Sequence, residues 1–264
     1  MRISTIHRAL VAGLAGLLAL PLVAPAKAQT ATLDSIRNSH VLRVGTTGDY
    51  KPFTFLDTKT GNYEGFDIDF AKDLAAKLGV KLVFVQTKWA DLMKDFAANK
   101  FDIAMGGISV TLPRQAQGFF STPYLREGKA AIAPCGEAKK FPDLAAIDKP
   151  GVKVIVNPGG TNEKFDHDHL KAAEIVLNKD NLSIFDQLAA GKADLMITDA
   201  SETRYQQKLH AGTLCAIHPD KPFDFAEKAY WLPRDEPLRQ YVNQWLHIDQ
   251  NDGTFATIYG KWLQ

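Results

Sequence analysis

The chain predicts an α/β protein of two similar lobes, each a largely parallel sheet flanked by helices, with a ligand cleft between them. Two observations predict it. Strand-like apolar runs alternate with helical patterns along nearly the whole length, the order that βαβ crossovers produce. Residues 97–105 are also echoed by residues 189–197: each copy has Ala-Ala, then Asn99 or Gly191, then Lys, and Asp102 or Asp194 ahead of an apolar run. A helix stopping at Asn or Gly before a buried strand therefore occurs twice, as a duplicated unit would make it.

Taken in order, the first 28 residues stand apart. Arg2 and Arg8 precede an apolar stretch over 9–20, and Pro21, Pro25 and the triplet Ala26-Lys27-Ala28 follow. That is the pattern of a secretory signal peptide cleaved before Gln29. It is too short and interrupted to span a bilayer, and no later segment offers about 20 uninterrupted apolar residues. Removal leaves 236 of the 264 residues and 28 basic against 30 acidic side chains. Such a balance excludes a protein held to nucleic acid by phosphate contacts. With 45% hydrophobic and 10% aromatic residues, disordered and low-complexity classes are excluded as well.

Residues 42–46 read as a strand. Phe66, Ile68, Phe70, Leu74 and Leu78 recur near helical spacing up to Gly79, and 81–86 form the next strand. In open α/β sheets ligands sit beyond the carboxyl ends of strands. The segments after both echo copies, 106–109 with Gly107 and Ser109 and 198–202 with Asp199 and Glu202, are therefore the candidate walls of the site. Residues 130–134 make a strand that leads into a polar segment at 135–140, suited to leaving one lobe for the other. A return crossing falls near 219–223. Leu238, Val242, Trp245 and Leu246, at helical spacing, pack back onto the first lobe. The division is 29–131 plus 223–264 for the first lobe and 132–222 for the second. Cys135 and Cys215 are both in the exported part, and an oxidising compartment predicts a disulfide between them, with two buried free thiols as the alternative.

Together, these residues resemble the periplasmic solute-binding proteins for polar amino acids. The resemblance covers essentially the whole exported chain: Gly45-Thr46-Thr47-Gly48-Asp49-Tyr50-Lys51-Pro52-Phe53, Gly65-Phe66-Asp67-Ile68-Asp69, Ser109 with Arg114, Gly160-Thr161, and Asp252-Gly253-Thr254 ahead of Lys261-Trp262. It implies the type II periplasmic-binding fold. Within that superfamily the chain is more similar to the exported cyclohexadienyl dehydratases, through 46–53, Asn157-Pro158-Gly159-Gly160-Thr161-Asn162-Glu163-Lys164-Phe165 and Pro222-Phe223-Asp224-Phe225-Ala226-Glu227-Lys228-Ala229-Tyr230. That similarity implies conversion of prephenate to phenylpyruvate, and of arogenate to phenylalanine, in the periplasm by one protein acid without cofactor or metal. A periplasmic amino-acid receptor serving a membrane transporter is the competing reading, and fold does not separate the two.

The site residues follow. Arg114, with Ser109, offers a guanidinium and a hydroxyl for a substrate carboxylate. Gly160, Thr161 and Asn162 open a helix after the strand at 152–156, where backbone N–H groups meet an anion. Glycine at 160, where related transport proteins more often show a hydroxyl residue, makes room for a ring. Tyr50, and behind it Phe53 and Trp89, would lie against that ring. Thr47 replaces the acidic residue typical of binders of basic amino acids. Lys129 is a further cation for a dianion. Asp199 matches the position that holds a ligand's α-amino group, which suits arogenate; for prephenate the same carboxylate repels unless screened or protonated. Spacing alone makes Asp199-Ala200-Ser201-Glu202 a capping box. The resemblance instead puts Glu202 at the general-acid position, accompanied by Gln206 and Asn162. Holding a glutamic acid protonated near pH 7 costs roughly 3 to 4 kcal/mol, which burial in a closed cleft must supply. Asp166-His167-Asp168-His169 is read as solvated surface, since alternate residues on a helix face apart. The partner is thus a small molecule, and the number of chains that associate is left open.

Overall fold

The computed structural model describes residues 32–264; the expected signal peptide lies outside the described residues. The first sheet has the strand order Lys81–Gln86, Val41–Thr46, Ile103–Ala104, Trp231–Leu232, Phe119–Phe120. The first three run parallel, and the last two are antiparallel to their neighbours. Helix Phe66–Leu78 links the first two strands in sequence and ends where Gly79, at φ 68°, turns its N–H onto the carbonyls of Ala75 and Ala76, the left-handed stop that glycine adopts without a Cβ penalty. Its buried face, Phe66, Phe70, Ala71 and Leu74, packs with Leu42 and Val44. Leu238, Val242, Trp245 and Leu246 of helix Glu236–Asp252 complete the same core.

In the second lobe, Lys129–Pro134 lies between Met196–Asp199 and Leu214–Ile217, antiparallel to both. Lys153–Val156 runs parallel to Glu174–Leu177, and a bridge from Val154 to Leu195 joins the two groups. The echo is structural. Helices Leu92–Ala97 and Ile184–Ala189 are followed by Asn99 at φ 53° and Gly191 at φ 69°, and then by Ile103–Ala104 and Met196–Asp199.

The sheets mix directions because the chain crosses between lobes. Leu125–Glu127 and Ala226–Lys228 pair antiparallel as a two-stranded ribbon carrying the crossings. Strand Lys129–Pro134 starts at the cleft while Met196–Asp199 ends there, so they must run oppositely, and their register sets Lys129 beside Asp199. All of Lys129–Pro134 lies in the second sheet, so we place the first crossing at Gly128 rather than after residue 131. A Cβ on Gly128 would sit 2.1 Å from the carbonyl oxygen of Asp224, which explains glycine at the narrowest point of the hand-over.

Cys135 and Cys215 form a disulfide, at the end of the central strand farthest from the cleft. It closes a segment with a sequence separation of 80. Replacing both cysteines by serine is expected to lower unfolding stability by about 2–4 kcal/mol, read as a lower urea midpoint, with ligand binding at the cleft unchanged. Among the described residues no helix is long and apolar enough to cross a membrane.

Candidate active site

The wall after Ile103–Ala104 is held from behind by a buried carboxylate. Asp67, on helix Phe66–Leu78, accepts the N–H of Gly106 at 2.9 Å, that of Gly107 at 2.5 Å and the hydroxyl of Tyr124 at 2.8 Å. Burial pushes its carboxyl up to about 6 although these donors favour the ionised form. Gly107 has φ +71°, and a Cβ there would lie 2.3 Å from the Tyr50 ring. Glycine lets the wall press against that ring. Tyr50 stacks on Phe53 and meets the edge of Trp89, with centroids 5.2 and 5.5 Å away.

Opposite stands a buried knot of charge. Asp199 ends its strand with one oxygen 2.8 Å from Lys129 Nζ and the other 2.6 Å from Lys228 Nζ, and it accepts the Tyr50 hydroxyl across the cleft. Burial would raise its carboxyl, but the two ammonium groups hold it well below the usual carboxylate range. Lys228 also donates to Ser109 Oγ at 2.9 Å. Glu127, at the ribbon, lies 3.7 Å from Lys228 and accepts the N–H of Ser201; burial first, and then Asp199, raises its carboxyl.

Glu202 does not make the capping box. Asp199 caps helix Ala200–Leu209 without a side-chain bond, and Glu202 Oε2 instead accepts the hydroxyl of Thr198 at 2.6 Å. The direction of that bond follows from its neighbours. Lysine has no acceptor, so Lys129 Nζ must face Asn162 Oδ1. The amide Nδ2 then donates to Thr198 Oγ1 at 3.0 Å, and the hydroxyl hydrogen is left for Glu202. With Oε2 accepting this bond, we assign the acid's own proton to Oε1. Glu202 is fully buried, and burial pushes its carboxyl up to about 8; Asp199 adds to the rise, while the Thr198 hydroxyl and the two lysines oppose it. Burial thus favours the neutral acid at pH 7. Gln206, one turn further along, is buried but makes no hydrogen bond to Glu202.

A cavity of about 20 Å³ lies between the lobes, room for about one water and far below the volumes of about 300–1,000 Å³ usual for small-ligand sites, so the lobes must part to admit a substrate. Tyr50, Trp89, Gly107, Ser109, Gly160, Thr161, Asn162 and Asp199 line it, all of them expected from the sequence. Gly160 has an ordinary extended backbone, and a Cβ there would meet nothing nearer than 3.6 Å; the chain does not require glycine, and its smallness leaves room beside Trp89. Arg114, Lys129, Glu202, Gln206 and Thr47 do not line the cavity. Lys129 reaches it through Thr161 and Asn162, and Glu202 stands one side chain behind Asn162. Arg114 is buried with Nη1 on the Ser109 carbonyl at 2.8 Å. Its Nε and Nη2 have no partner among the described residues, and burial lowers the guanidinium to about 10. Thr47 borders a separate groove at the cleft mouth.

Three lining residues were not singled out from the sequence: Asn157, Asn181 and Lys228. Lys228 stands in the stretch 222–230 that carries the dehydratase resemblance, but no spacing around it marks it as a buried cleft residue. The stretch 166–169 also needs correction. Asp166 is fully buried with both carboxylate oxygens unpartnered, because it lies one turn after Asn162 on the inward face of helix Thr161–His169, and burial pushes it up to about 8. The lobes are closed on one another. Asn181 Nδ2 donates to the carbonyl of Asp49 at 2.9 Å, and a Cβ on Gly159 would lie 2.5 Å from Ala90.

Comparison with known proteins agrees with this architecture. A cyclohexadienyl dehydratase of Pseudomonas aeruginosa is 56% identical over 247 residues, 94% of this chain and 91% of that one. The L-cystine-binding protein of Escherichia coli strain K12 is 27% identical over 95% of this chain and 94% of its own. Among solved structures, an ancestral amino acid-binding protein described as a precursor of cyclohexadienyl dehydratase superposes with a TM-score of 0.82 at 36% identity, covering 89% of this chain and all of that one. An ancestral cyclohexadienyl dehydratase gives 0.55 at 49% identity, over 89% of this chain and 98% of that one. The model of the bacterial extracellular solute-binding proteins, family 3, matches residues 42–264, and the chain belongs to that family.

Proposed function

We propose that the protein is a cyclohexadienyl dehydratase, a carbon–oxygen lyase acting on prephenate and arogenate in the periplasm after cleavage of its leader behind Ala28. The observation that carries this reading is Glu202, a fully buried carboxyl bonded to Thr198 and joined through it to Asn162 in the wall of a cleft of binding-protein design. The high identity to a dehydratase over nearly the whole chain supports it. Glu202 Oε1 gives its proton to the ring hydroxyl, and the C–O bond breaks with loss of water. The bond from the ring to its carboxylate breaks as carbon dioxide leaves, and that electron pair completes the aromatic ring. Glu202 remains as a carboxylate and regains a proton from solvent when the lobes part. The ring hydroxyl must reach Oε1 past Asn162, and the widening that admits the substrate supplies the room. Arg114 and Ser109 receive one carboxylate, the start of helix Thr161–His169 a second, and Tyr50 and Trp89 face the ring.

The test is turnover. Purified protein is expected to convert prephenate to phenylpyruvate, followed by ultraviolet absorbance. No turnover, with tight binding of an amino acid instead, would assign the protein to the receptors of membrane transporters. A sharper expectation concerns Thr198. Its hydroxyl bonds the acid and lowers its pKa, so Thr198→Val should move the alkaline limb of the pH–rate profile up by about one unit. The rate should drop as the acid loses its orientation; an unmoved limb would mean that the limb belongs to another group.

A further inference from the structure

Asp199 meets two ammonium groups, and Lys228 supplies the one that lines the cleft cavity. This lysine comes from neither wall. It rides on ribbon strand Ala226–Lys228, its backbone bridged to Ser109, and its side chain is essentially fully buried. Its ammonium touches Asp199, Ser109 Oγ and, at 3.3 Å, the Tyr50 hydroxyl, and it lies 5.3 Å from the Tyr50 ring centroid. Lys129 holds the other Asp199 oxygen. Asp199 thus faces two ammonium groups, of which Lys228 lines the cavity; Glu127, 3.7 Å from Lys228, has its carboxyl raised by burial towards the neutral form. A ligand ammonium would have to displace a lysine to reach Asp199, whereas an uncharged or anionic group meets the Lys228 ammonium.

We propose that Lys228 is a specificity-determining residue: placed at the hinge, it cancels Asp199 and so makes the cleft favour a 2-oxo acid side chain over a protonated 2-amino acid side chain on the same ring. The proposal rests on the dehydratase reading. Prephenate and arogenate share the ring, its hydroxyl and its carboxylate and differ at that side chain, so any effect on the chemistry itself applies to both. Removing Lys228 leaves one oxygen of Asp199 with only the Tyr50 hydroxyl on it, and its uncancelled charge then repels the oxo acid and attracts the amine.

The experiment measures kcat/KM for prephenate and for arogenate in the wild type, Lys228→Met, Lys228→Arg and Asp199→Asn. Removing one partner of a buried charge pair typically costs about 30-fold or more. Lys228→Met is expected to lose that much on prephenate and clearly less on arogenate, moving the ratio at least about tenfold towards the amine. Lys228→Arg keeps the charge and should keep the wild-type preference. Asp199→Asn removes the amine's potential partner and should move the ratio towards prephenate. Equal losses on both substrates in Lys228→Met would overturn the proposal and leave Lys228 a structural residue. Where circular dichroism shows that variant unfolded, Asp199→Asn decides, and an unchanged ratio there overturns it equally. A wild type that turns over neither substrate sinks the dehydratase reading itself, a result distinct from unchanged selectivity in an active enzyme.

Discussion

Glu202→Gln lowers kcat for prephenate by about 10²–10⁴-fold, the usual range for loss of a general acid, and leaves substrate affinity nearly unchanged. The substitution keeps the size of the side chain, and the glutamine carbonyl still accepts the Thr198 hydroxyl that now reaches Oε2. What it removes is the transferable proton. A carboxamide cannot protonate a leaving hydroxyl, so the loss should fall on the chemical step and not on binding, the signature of an interaction made only in the transition state. Phenylpyruvate formation gives kcat, and calorimetric titration with substrate gives affinity in the inactive variant. A variant retaining more than a tenth of the rate would place the acid elsewhere, and Glu127, also buried with a raised pKa, would be tested next.

Much of this site is built from short local segments, which is why it could be read in the sequence. Tyr50, Ser109 and the Gly160–Thr161–Asn162 turn follow strand ends within a few residues and Asp199 is itself a strand end, where chain geometry alone puts residues at the cleft. Glycine stops and apolar spacing gave helix Phe66–Leu78 and strand Lys81–Gln86 with the bounds observed. Spacing failed where a residue's partner lies far along the chain. Lys228 meets Ser109 from 119 residues away and Asp199 from 29, and nothing local marks it as buried. Asn181, whose bond to Asp49 spans 132 residues, carried no signal at all. For Glu202 the local pattern misled. Capping-box spacing is present, but the Thr198 hydroxyl, itself directed by Asn162, takes the carboxyl that would have turned back to the main chain. The antiparallel strands were also hidden, because apolar runs reveal strands but not the direction in which a lobe-crossing chain must enter its next sheet.

The acid that serves the reaction is expected to cost the fold, with a sign that can be measured. Folded Glu202 keeps its proton up to about 8, against an ordinary value of 4.5. Between those values the native state binds more protons at this site than the unfolded chain does. Stability from this group is therefore complete below about pH 4.5, falls as pH rises through the window, and is flat above 8. At 1.36 kcal/mol per unit the full change is about 5 kcal/mol. Asp166 contributes with the same sign, so the wild-type curve alone does not isolate Glu202, but the difference between wild type and Glu202→Gln does. Urea denaturation across pH 4 to 9 should show the variant gaining about 5 kcal/mol on the wild type, while wild-type kcat/KM declines above pH 8 as the acid is lost. A stability gap that stays constant with pH would mean that Glu202 is already ionised at neutrality, and a carboxylate cannot be the group that protonates the departing hydroxyl.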